Sequence, residues 1–374
     1  RARGLAWPIL GGWGPSDPSS NLGGPTISLI CKRSEGEFMR RDRASSIILV
    51  VLLLSSLILP LISANQLVIS EDTTWSGEIT LDKDVVISPG TTLLIEPGTT
   101  IDATNGHKIE VSGSMIAEGA QFFSTAIPTA QSSHGQGLWQ GIIVNSGGIA
   151  SLTDVLIENA NVGVKSYGEL SATNLTVKNA YFGIKNYATA TIHDFRTEAI
   201  DYDAIMNSGS FTLTTANISN ASTGIQTDGV FAASSINLNH VGTGVSAVSG
   251  TVNLDQIYLQ NISVGFTSSY GISFRASNVT GEHVNLLANV ANSDDFLLSD
   301  ATLFGHSLMK SLSTSSSNLR DVYFTVSESG HGPVVDQNCI GKCSLHNITI
   351  TNAEHGLTLS GTGQHQLVLS LIHI

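Results

Sequence analysis

Residues 174–190 read NLTVKNAYFGIKNYATA, and residues 154–170, twenty positions earlier, read DVLIENANVGVKSYGEL. Both stretches carry alternating apolar residues, followed by Asn-Ala, a Gly and then Lys-x-Tyr. Nearly the same step continues along the chain. We take one position of each repeat as its reference position, and these equivalent residues are Ile143, Gly163, Gly183, Ala204, Gly224 and Gly244. This part of the chain is therefore a sequence repeat of about 20 residues.

The apolar positions within each repeat come in pairs two residues apart, which is the spacing of β-strands. One position after the reference, the residues are Val144, Val164, Ile184, Ile205, Ile225 and Val245. A period of this length leaves no room for the helices of helical repeats or for a four-stranded propeller blade. The repeat predicts an all-β parallel β-helix solenoid with about 20 residues and three short strands per coil. Equivalent side chains of successive coils would then stack in shared files.

Polar residues recur at the expected corners of the coil. Sixteen positions after the reference lie Asn159, Asn179, Ala199, Asn220 and His240. Asn tolerates the left-handed backbone conformation and can hydrogen-bond to the next coil, so this position is expected to form a turn. The Gly four residues later is expected to form the next turn.

Composition and charge limit the classes of partner. Only 13% of the 374 residues are charged, the chain has 37 Gly, and the formal net charge is −13. A negative chain without clustered Lys and Arg is not typical of nucleic-acid binding. Cys339 and Cys343 are four residues apart and predict a small disulfide loop of an extracellular protein, with two free buried thiols as the alternative. A zinc site would need two further ligands, so no metal is predicted.

The first 64 residues have a different pattern. Residues 1–38 show no periodicity and are interpreted as an upstream segment, non-native or disordered. Met39 then begins a basic stretch, an apolar run over 47–62 and small residues that end at Ala64. This pattern predicts a signal peptide at 39–64, with an uncleaved N-terminal anchor as the alternative. Either interpretation predicts that residues 65–374 form the β-helix and that the protein is secreted or held at the cell surface. The chain stops without a polar cap, so truncation of the β-helix at its C-terminus is expected.

Several motifs resemble a known family. W-x-G-x-I at Trp75–Ile79, VVISPGTTLLIEPGTTI at 85–101 and GLWQGIIV at 137–144 resemble the opening coils of right-handed β-helix surface proteins. The NxxxG[IV] corners resemble the repeats of the pectate-lyase-like superfold, over about residues 65–365. The resemblance implies a right-handed parallel β-helix. It says less about function, because the superfold includes polysaccharide lyases, polygalacturonases, adhesins and exported proteins without known activity.

Two motifs match parts of the polygalacturonase site. Asp294-Asp295 and the Gly-His-Gly around His331 resemble two of its four elements, and paired carboxylates suit an inverting hydrolysis. In that family the elements lie about one coil apart, whereas 36 residues separate Asp295 from His331 here. The Asn-Thr-Asp and Arg-x-Lys elements are missing. A chance match is therefore favoured over a hydrolase site.

Lyases of the superfold use calcium held by carboxylates and a basic residue that removes a proton from the uronate. Asp194, Arg196, Asp201 and Asp203 supply the right residue types. Calcium requires several oxygens that converge on one point, and the spacing does not indicate such convergence. A solvated edge is the favoured interpretation, so no cofactor is predicted, and calcium is retained only for the lyase alternative.

Lys165 and Lys185 share one outward column, and Tyr167 and Tyr187 share another two positions along. A stripe of cations and aromatic rings can hold an acidic sugar by stacking and charge, while ordinary stacking of like residues is the structural alternative. Among the Asn-x-Ser/Thr sequons, the better candidates for glycosylation are those expected at outward strand positions, namely Asn174, Asn217 and Asn278.

The leading hypothesis is a non-catalytic secreted or cell-surface protein that presents a repetitive face to extracellular glycans, other cells or envelope components. The alternative is a carbohydrate-active enzyme, a lyase or a hydrolase, that acts on an acidic polysaccharide. Nucleic acid is not an expected partner, and a membrane would be contacted only through an uncleaved segment at 39–64. The sequence gives no prediction of oligomeric state.

Overall fold

Every element that the structure describes is a β-strand, and its strands pair in parallel. The structure is a computed structural model, and the described residues belong to one unit, Ile62–Ile374. The described residues are 66–104, 106–125, 138–269, 271–291, 293–305, 308–326, 333–368 and 371–372, with backbone only at 308–313 and 371–372. Residues 1–38 and the segment 39–64 therefore lie outside them.

The first four coils consist of separate short strands. They are β1 (Gln66–Ile69), β2 (Thr73–Trp75), β3 (Glu78–Thr80), β4 (Asp84–Ile87), β5 (Thr92–Ile95), β6 (Thr100–Asp102), β7 (Lys108–Val111), β8 (Ser114–Glu118), β9 (Gln121–Phe123), β10 (Gly141–Val144), β11 (Ile149–Thr153) and β12 (Leu156–Glu158). Three strands make one coil, as the repeat predicts.

Further along the chain the strands become longer and continue around corners. They are β13 (Val162–Ser166), β14 (Glu169–Ala180), β15 (Phe182–Asn186), β16 (Thr189–Asn207), β17 (Ser210–Thr227), β18 (Val230–Ala247), β19 (Thr251–Ser268), β20 (Ser273–Ala291), β21 (Asp295–Gly305), β22 (Leu308–Val326), β23 (Pro333–Thr351), β24 (His355–Gly361), β25 (Gln364–Val368) and β26 (Leu371–Ile372). The predicted three short strands per coil thus become stretches of one long, bent strand, because hydrogen bonding continues through the corners.

Each coil presents three faces. Face 1 contains β1, β4, β7, β10, β13 and β15. Face 2 contains β2, β5, β8 and β11, and face 3 contains β3, β6, β9 and β12. Each of β16 to β20 begins on face 2, crosses face 3 and ends on face 1. About 13 turns of about 21 residues confirm the predicted all-β, right-handed parallel β-helix.

The predicted file of apolar residues lies in the core. Val164 pairs with Ile184, Ile184 with Ile205, and Ile205 with Ile225, and all four side chains are fully buried. Each buried aliphatic side chain contributes roughly 1.5–3 kcal/mol. Because every coil packs on the next, the file becomes part of one continuous apolar core.

Two corners are built from residues with left-handed backbone. The corner between faces 3 and 1 includes Asn159, Asn179, Ala199, Asn220, His240 and Asn261, with φ from 50° to 57°. The prediction of left-handed corners at these positions is confirmed. A second left-handed corner, between faces 2 and 3, is formed by Asp154, Asn174, Asp194, Thr215, Ser235, Gln256 and Asn278. Asn and Asp tolerate this conformation at little cost, which explains their frequency.

The Gly residues that recur four positions after the corner Asn are required for a different reason from the one predicted. Gly163 and Gly183 lie inside strands and are absent from the positions with positive φ, so the prediction that they form a turn is wrong. A Cβ atom on Gly183 would lie 2.3 Å from the backbone oxygen of Ala204 in the next coil. Gly is required here because neighbouring backbones approach closely.

One register prediction is also wrong. Ile143 does not align with Gly163, because Ile142 pairs with Val164 and Ile143 with Lys165. The turn between β10 and β11, at 145–148, is two residues longer than the equivalent turn between β13 and β14, at 167–168. The extra residues shift face 1 of this coil, while face 2 keeps the expected pairing.

A buried polar ladder fills the corner between faces 1 and 2. The Asn186 amide donates to the Oδ1 atom of Asn207 at 2.8 Å, and the Asn207 amide donates to the Thr227 hydroxyl at 3.0 Å. The same amides donate to backbone carbonyls, including those of Ala188 and Gly209. Buried amides need this many partners, so the ladder fixes which coil lies on which.

Candidate functional site

Two tyrosines project from neighbouring coils at the end of face 1. The ring centroids of Tyr167 and Tyr187 are 4.8 Å apart and the rings are tilted by only 14°. This spacing equals the distance between paired strands, so the rings lie one above the other along the solenoid. Both rings are exposed. The predicted stacking of these tyrosines is present in the structure.

A second aromatic pair lies at the beginning of face 1. The ring of Phe182 stacks on that of Tyr202, with centroids 5.2 Å apart, and Tyr181 stacks on Tyr202 at 6.0 Å. The strand register shifts between Ile200 and Asp203, which is a bulge of the kind that redirects side chains. Tyr202 lies within this bulge and is 47% exposed.

Two lysines lie between the aromatic pairs. Lys165 pairs with Lys185 in adjacent strands. The Nζ atom of Lys165 is 5.1 Å from the ring centroid of Tyr167, and that of Lys185 is 3.2 Å from the centroid of Phe182. A cation over an aromatic face gains about 0.5–2 kcal/mol. We name Lys165, Tyr167, Phe182, Lys185, Tyr187 and Tyr202 the aromatic patch.

An aspartate is buried beside the aromatic patch. Burial raises the pKa of Asp203 above its ordinary value, and a hydrogen bond from Thr223 and the charge of Lys185 partly oppose this shift. Burial also lowers the pKa of Lys185, and repulsion from Lys165 lowers it further, against the attraction of Asp203. Both shifts favour the neutral forms of a neighbouring acid and base.

The aromatic patch ends abruptly at the next coil. In the next coil Ser208 occupies the turn position that Tyr187 has in its own coil. The backbone N–H of Tyr187 donates to Ser166, and that of Ser208 donates to Asn186. Ser222 lies opposite the bulge that contains Tyr202, since Ala221 and Thr223 pair with Ile200 and Asp203. A serine side chain is too short to cover an aromatic ring. The ring faces of Tyr187 and Tyr202 that point toward the next coil are therefore not covered by another aromatic ring, and the two side chains are 37% and 47% exposed.

One aspartate of the motif that resembles the hydrolase site is already paired with a cation. The carboxylate of Asp295 accepts a hydrogen bond from the Arg275 guanidinium at 2.9 Å. Arg275 belongs to the preceding coil of face 2, where it pairs with Leu297, two residues after Asp295. His331 lies outside the described residues, so its position relative to Asp294 and Asp295 is untested.

The residues considered for a lyase site lie on different parts of the coil. Asp194 occupies the corner between faces 2 and 3 and forms a 2.9 Å ion pair with Arg196. Asp203 lies beyond the next corner, on face 1. Asp201 is exposed at that corner. Within the described parts of the chain, no three His, Cys, Asp or Glu side chains cluster in a way that could hold a metal ion.

The three glycosylation candidates differ in their surroundings. Asn174 and Asn278 lie at the left-handed corner between faces 2 and 3 and not at the regular outward strand positions that were predicted. Each donates its amide at 2.7 Å to an aspartate of the preceding coil, Asp154 or Asp255. Asn217 is exposed on face 3. Acceptor function at these three positions stays a prediction.

The Sγ atoms of Cys339 and Cys343 are joined as a disulfide in the structure. Both residues are buried within β23 rather than in an exposed loop. The bond therefore closes a short segment at a corner of the core.

Sequence reasoning missed Phe182, Tyr202 and Asp203 as neighbours of Lys185. Phe182 and Tyr202 are also twenty positions apart, and this spacing was a usable signal. The burial of Asp203 could not be predicted, because it depends on the bulge that displaces the strand after Ile200.

Among the described residues there is no helix of sufficient length and apolar character to cross a membrane. This finding concerns residues 66–372 with the gaps given above.

Comparisons with known proteins identify a shared fold. No protein-family model matches the chain, and no curated protein matches it in sequence. The periplasmic alginate epimerase AlgG is 11% identical, with a TM-score of 0.50 and 78% of each chain covered. The GH87 α-1,3-glucanase of Streptomyces thermodiastaticus is 13% identical, with a TM-score of 0.46 and coverage of 81% of this chain and 61% of that chain.

The surface adhesin PfbA of Streptococcus pneumoniae is 9% identical, with a TM-score of 0.41 and coverage of 90% of this chain and 88% of that chain. At such low identity, structural similarity indicates fold and not activity. The similarity to the alginate epimerase therefore supports one conclusion: this chain has a right-handed parallel β-helix fold.

Proposed function

We propose that the protein binds acidic glycans through the aromatic patch and acts as a non-catalytic exported protein. One observation carries the proposal: open faces of Tyr187 and Tyr202 flank two lysines on a single face. Sugar rings present apolar C–H surfaces that stack on aromatic rings, and lysines attract the carboxylates of uronates.

The lysines of the patch are available to a ligand. In the described parts of the chain, neither Lys165 nor Lys185 has a carboxylate within ion-pair distance, whereas Lys178 on face 3 is paired with Glu198 at 3.4 Å. Lys165 has no such partner among the described residues and is suited to an anion, whereas the attraction of Asp203 on Lys185 has to be weakened when an anion binds there. A net charge of −13 makes this local positive charge distinct from the rest of the chain.

The patch also suggests the direction of the ligand. Phe182 and Tyr187 are separated by five residues along the strand, which corresponds to about 16 Å. The two aromatic pairs can therefore contact separate rings of one oligosaccharide that crosses face 1. Lys165 and Lys185 lie between them, where a carboxylate of the intervening sugar would be held.

The proposal includes export. The signal-peptide pattern of residues 39–64 supports it, with residues 1–38 as an upstream segment and residues 65–374 as the exported β-helix. An uncleaved segment at 39–64 would keep the protein on the cell surface, where the patch would face extracellular glycans or envelope components. Cleavage is tested by the N-terminal sequence of the exported protein.

An enzyme acting on the same glycans is the second candidate, supported by the buried Asp203 beside Lys185. Burial raises the pKa of Asp203 and lowers that of Lys185, which is the arrangement that acid–base catalysis uses. As a lyase, the protein would release products with an unsaturated bond that absorb ultraviolet light. Hydrolysis would instead release reducing ends without that absorbance.

The test measures binding of alginate and pectate oligosaccharides by calorimetry, together with product formation. Lys165→Ala combined with Lys185→Ala is expected to weaken binding about tenfold or more and to reduce its dependence on salt. Lys178→Ala, whose side chain is on face 3, is the matched control. Equal binding by the parent and the double variant would contradict the proposal, and product formation that Asp203→Asn abolishes would favour the enzyme.

A further inference from the structure

Face 3 carries a second set of polar side chains that the aromatic patch does not use. Arg196, Asn217, Asn237 and Tyr258 pair in register, one from each of four successive coils. A parallel file contains Glu198, Ser219, Asn239 and Gln260. Four coils at about 4.8 Å each make a polar stripe along the solenoid. We name these two files the amide stripe.

A cavity opens at one end of the amide stripe. It has a volume of about 350 Å³, and its lining includes Arg196, Thr197, Glu198, Asn217 and Ser219. All five of these side chains are polar, so the cavity suits a ligand that forms hydrogen bonds. Asn217 is an exposed member of this lining. It is also a sequon residue, so its amide contacts a ligand only in a chain that carries no glycan at this position.

The next coil contains a buried polar atom without a partner. The Oδ1 atom of Asn237 is buried and accepts no hydrogen bond from any residue that the structure describes. Asn237 pairs directly with Asn217 of the cavity and with Tyr258 on the other side. A buried amide oxygen without a donor costs roughly 1–3 kcal/mol. A ligand hydroxyl reaches this oxygen only when the Asn237 side chain turns outward, and a hydrogen bond to it would then recover this energy.

The charges of this region are already paired, in contrast to those of the aromatic patch. Arg196 is bonded to Asp194 at 2.9 Å, and Glu198 to Lys178 at 3.4 Å. An ionic ligand would have to break these pairs. Each uncharged amide offers both a donor and an acceptor, which matches neighbouring hydroxyl groups of a sugar.

Tyr258 provides a ring at the far end of the stripe. A hydrogen bond to Glu282 and the nearby charge of that residue raise the pKa of the Tyr258 hydroxyl. This bond fixes the phenol, so the ring is held in place beside Asn237. A sugar ring can contact such a fixed aromatic side chain without a large loss of side-chain entropy.

We infer that the amide stripe is a second saccharide site, specific for neutral oligosaccharides, which lie along the solenoid from Arg196 to Tyr258. It is separate from the aromatic patch in position, ligand charge and direction. Its existence does not depend on the function proposed for face 1, because it rests on different residues.

The experiment uses the full chain and a panel of neutral gluco-, manno-, galacto- and fuco-oligosaccharides, with binding measured by calorimetry. Asn217→Ala and Asn237→Ala are each expected to lower the affinity about tenfold, the effect of one or two hydrogen bonds. Thr280→Ala is the matched control, because Thr280 follows Tyr258 in the same file but lies beyond the stripe. It is expected to bind like the parent.

Two further measurements distinguish a lost binding site from a misfolded variant and from binding at face 1. The thermal unfolding midpoint of each variant checks that it folds, and Tyr187→Ser checks whether neutral sugars bind at face 1 instead. The inference is overturned when no neutral oligosaccharide of the panel binds at millimolar concentration. It is also overturned when Tyr187→Ser abolishes neutral binding and the two Asn variants retain it.

Discussion

Face 1 of residues 162–207 and face 1 of residues 223–268 have nearly the same backbone and the same kind of core. Val164, Ile184 and Ile205 in the first region continue into Ile225 and Val245 in the second. The outward residues differ sharply. The first region carries the aromatic patch, whereas the second carries Gln226, Ser246 and Thr267 in the column that contains Lys165 and Lys185.

This difference indicates which outward residues the stacking of the coils requires and which it does not. The second region shows that short polar side chains are sufficient on this face for the coils to stack. The stacking of the coils therefore does not require aromatic rings and lysines at these outward positions. Ligand binding, as proposed above, is a role that these side chains can serve in addition to the ring stacking and cation–π contacts that they make.

The largest expected effect concerns the core that both regions share. Ile205→Ala and Ile225→Ala each remove a fully buried side chain and are expected to lower the free energy of unfolding by about 3 kcal/mol. Denaturant unfolding measures both values. Similar losses would support the equivalence of the two regions, and a loss confined to Ile205 would show that their cores are not comparable.

A change in the aromatic patch should affect binding and not folding. Tyr187→Ser gives this coil the residue that the next coil has at Ser208, and it removes the open ring face. We expect about tenfold weaker binding of alginate oligosaccharides, because a stacking contact is lost. Calorimetry measures the affinity.

Gln226→Ala is the control for this substitution, because it changes the same face in the region without aromatic rings. It is expected to bind like the parent. Weaker binding by Gln226→Ala, with normal binding by Tyr187→Ser, would place the ligand in the second region. It would contradict the assignment of binding to the aromatic patch.

The smallest expected effect is a pH dependence from Asp203. Its folded pKa lies above the unfolded value of 3.8, so the folded chain holds this proton more tightly. Ionisation of Asp203 therefore lowers the free energy of unfolding as the pH rises from about 4 through the folded pKa. Asp203→Asn should remove this loss. The free energy of unfolding of the variant, compared with that of the parent, is therefore expected to be more favourable at pH 7 than at pH 4.

Thermal unfolding at both pH values measures this difference, and Asp201→Asn at the exposed neighbouring position is the control. A constant difference between Asp203→Asn and the parent would mean that the hydrogen bond from Thr223, and not the buried charge, governs the site.

Most of the fold could be predicted because stacking repeats the same requirement in every coil. The alternation around Ile184 gives the strands, and Asn179 gives a corner, since few residues accept a left-handed backbone. The role of Gly183 was not predictable, because it depends on a distance between two coils. The place of Ile143 was missed because an extended turn changes the register without changing the apolar pattern.

The site was predictable only where it follows the repeat. Lys165, Tyr167, Lys185 and Tyr187 recur at the repeat spacing, so their contacts could be predicted directly. Asp203 could not be placed, because its burial depends on a bulge, and a bulge is a departure from the repeat. The amide stripe was not predicted either, since Asn is common throughout this chain and its outward positions do not differ in pattern from corner positions.

The close contact at Gly183 has a consequence for how this protein can change length. Removing residues 184–204 joins Gly183 directly to Ile205, which recreates the Gly-Ile pair that begins the deleted coil. Duplicating the same segment would preserve it as well. Whole coils can therefore be gained or lost in evolution without a change of register, although a loss brings two previously separated coils into contact. Each event would move a binding face by about 4.8 Å relative to the ends of the β-helix.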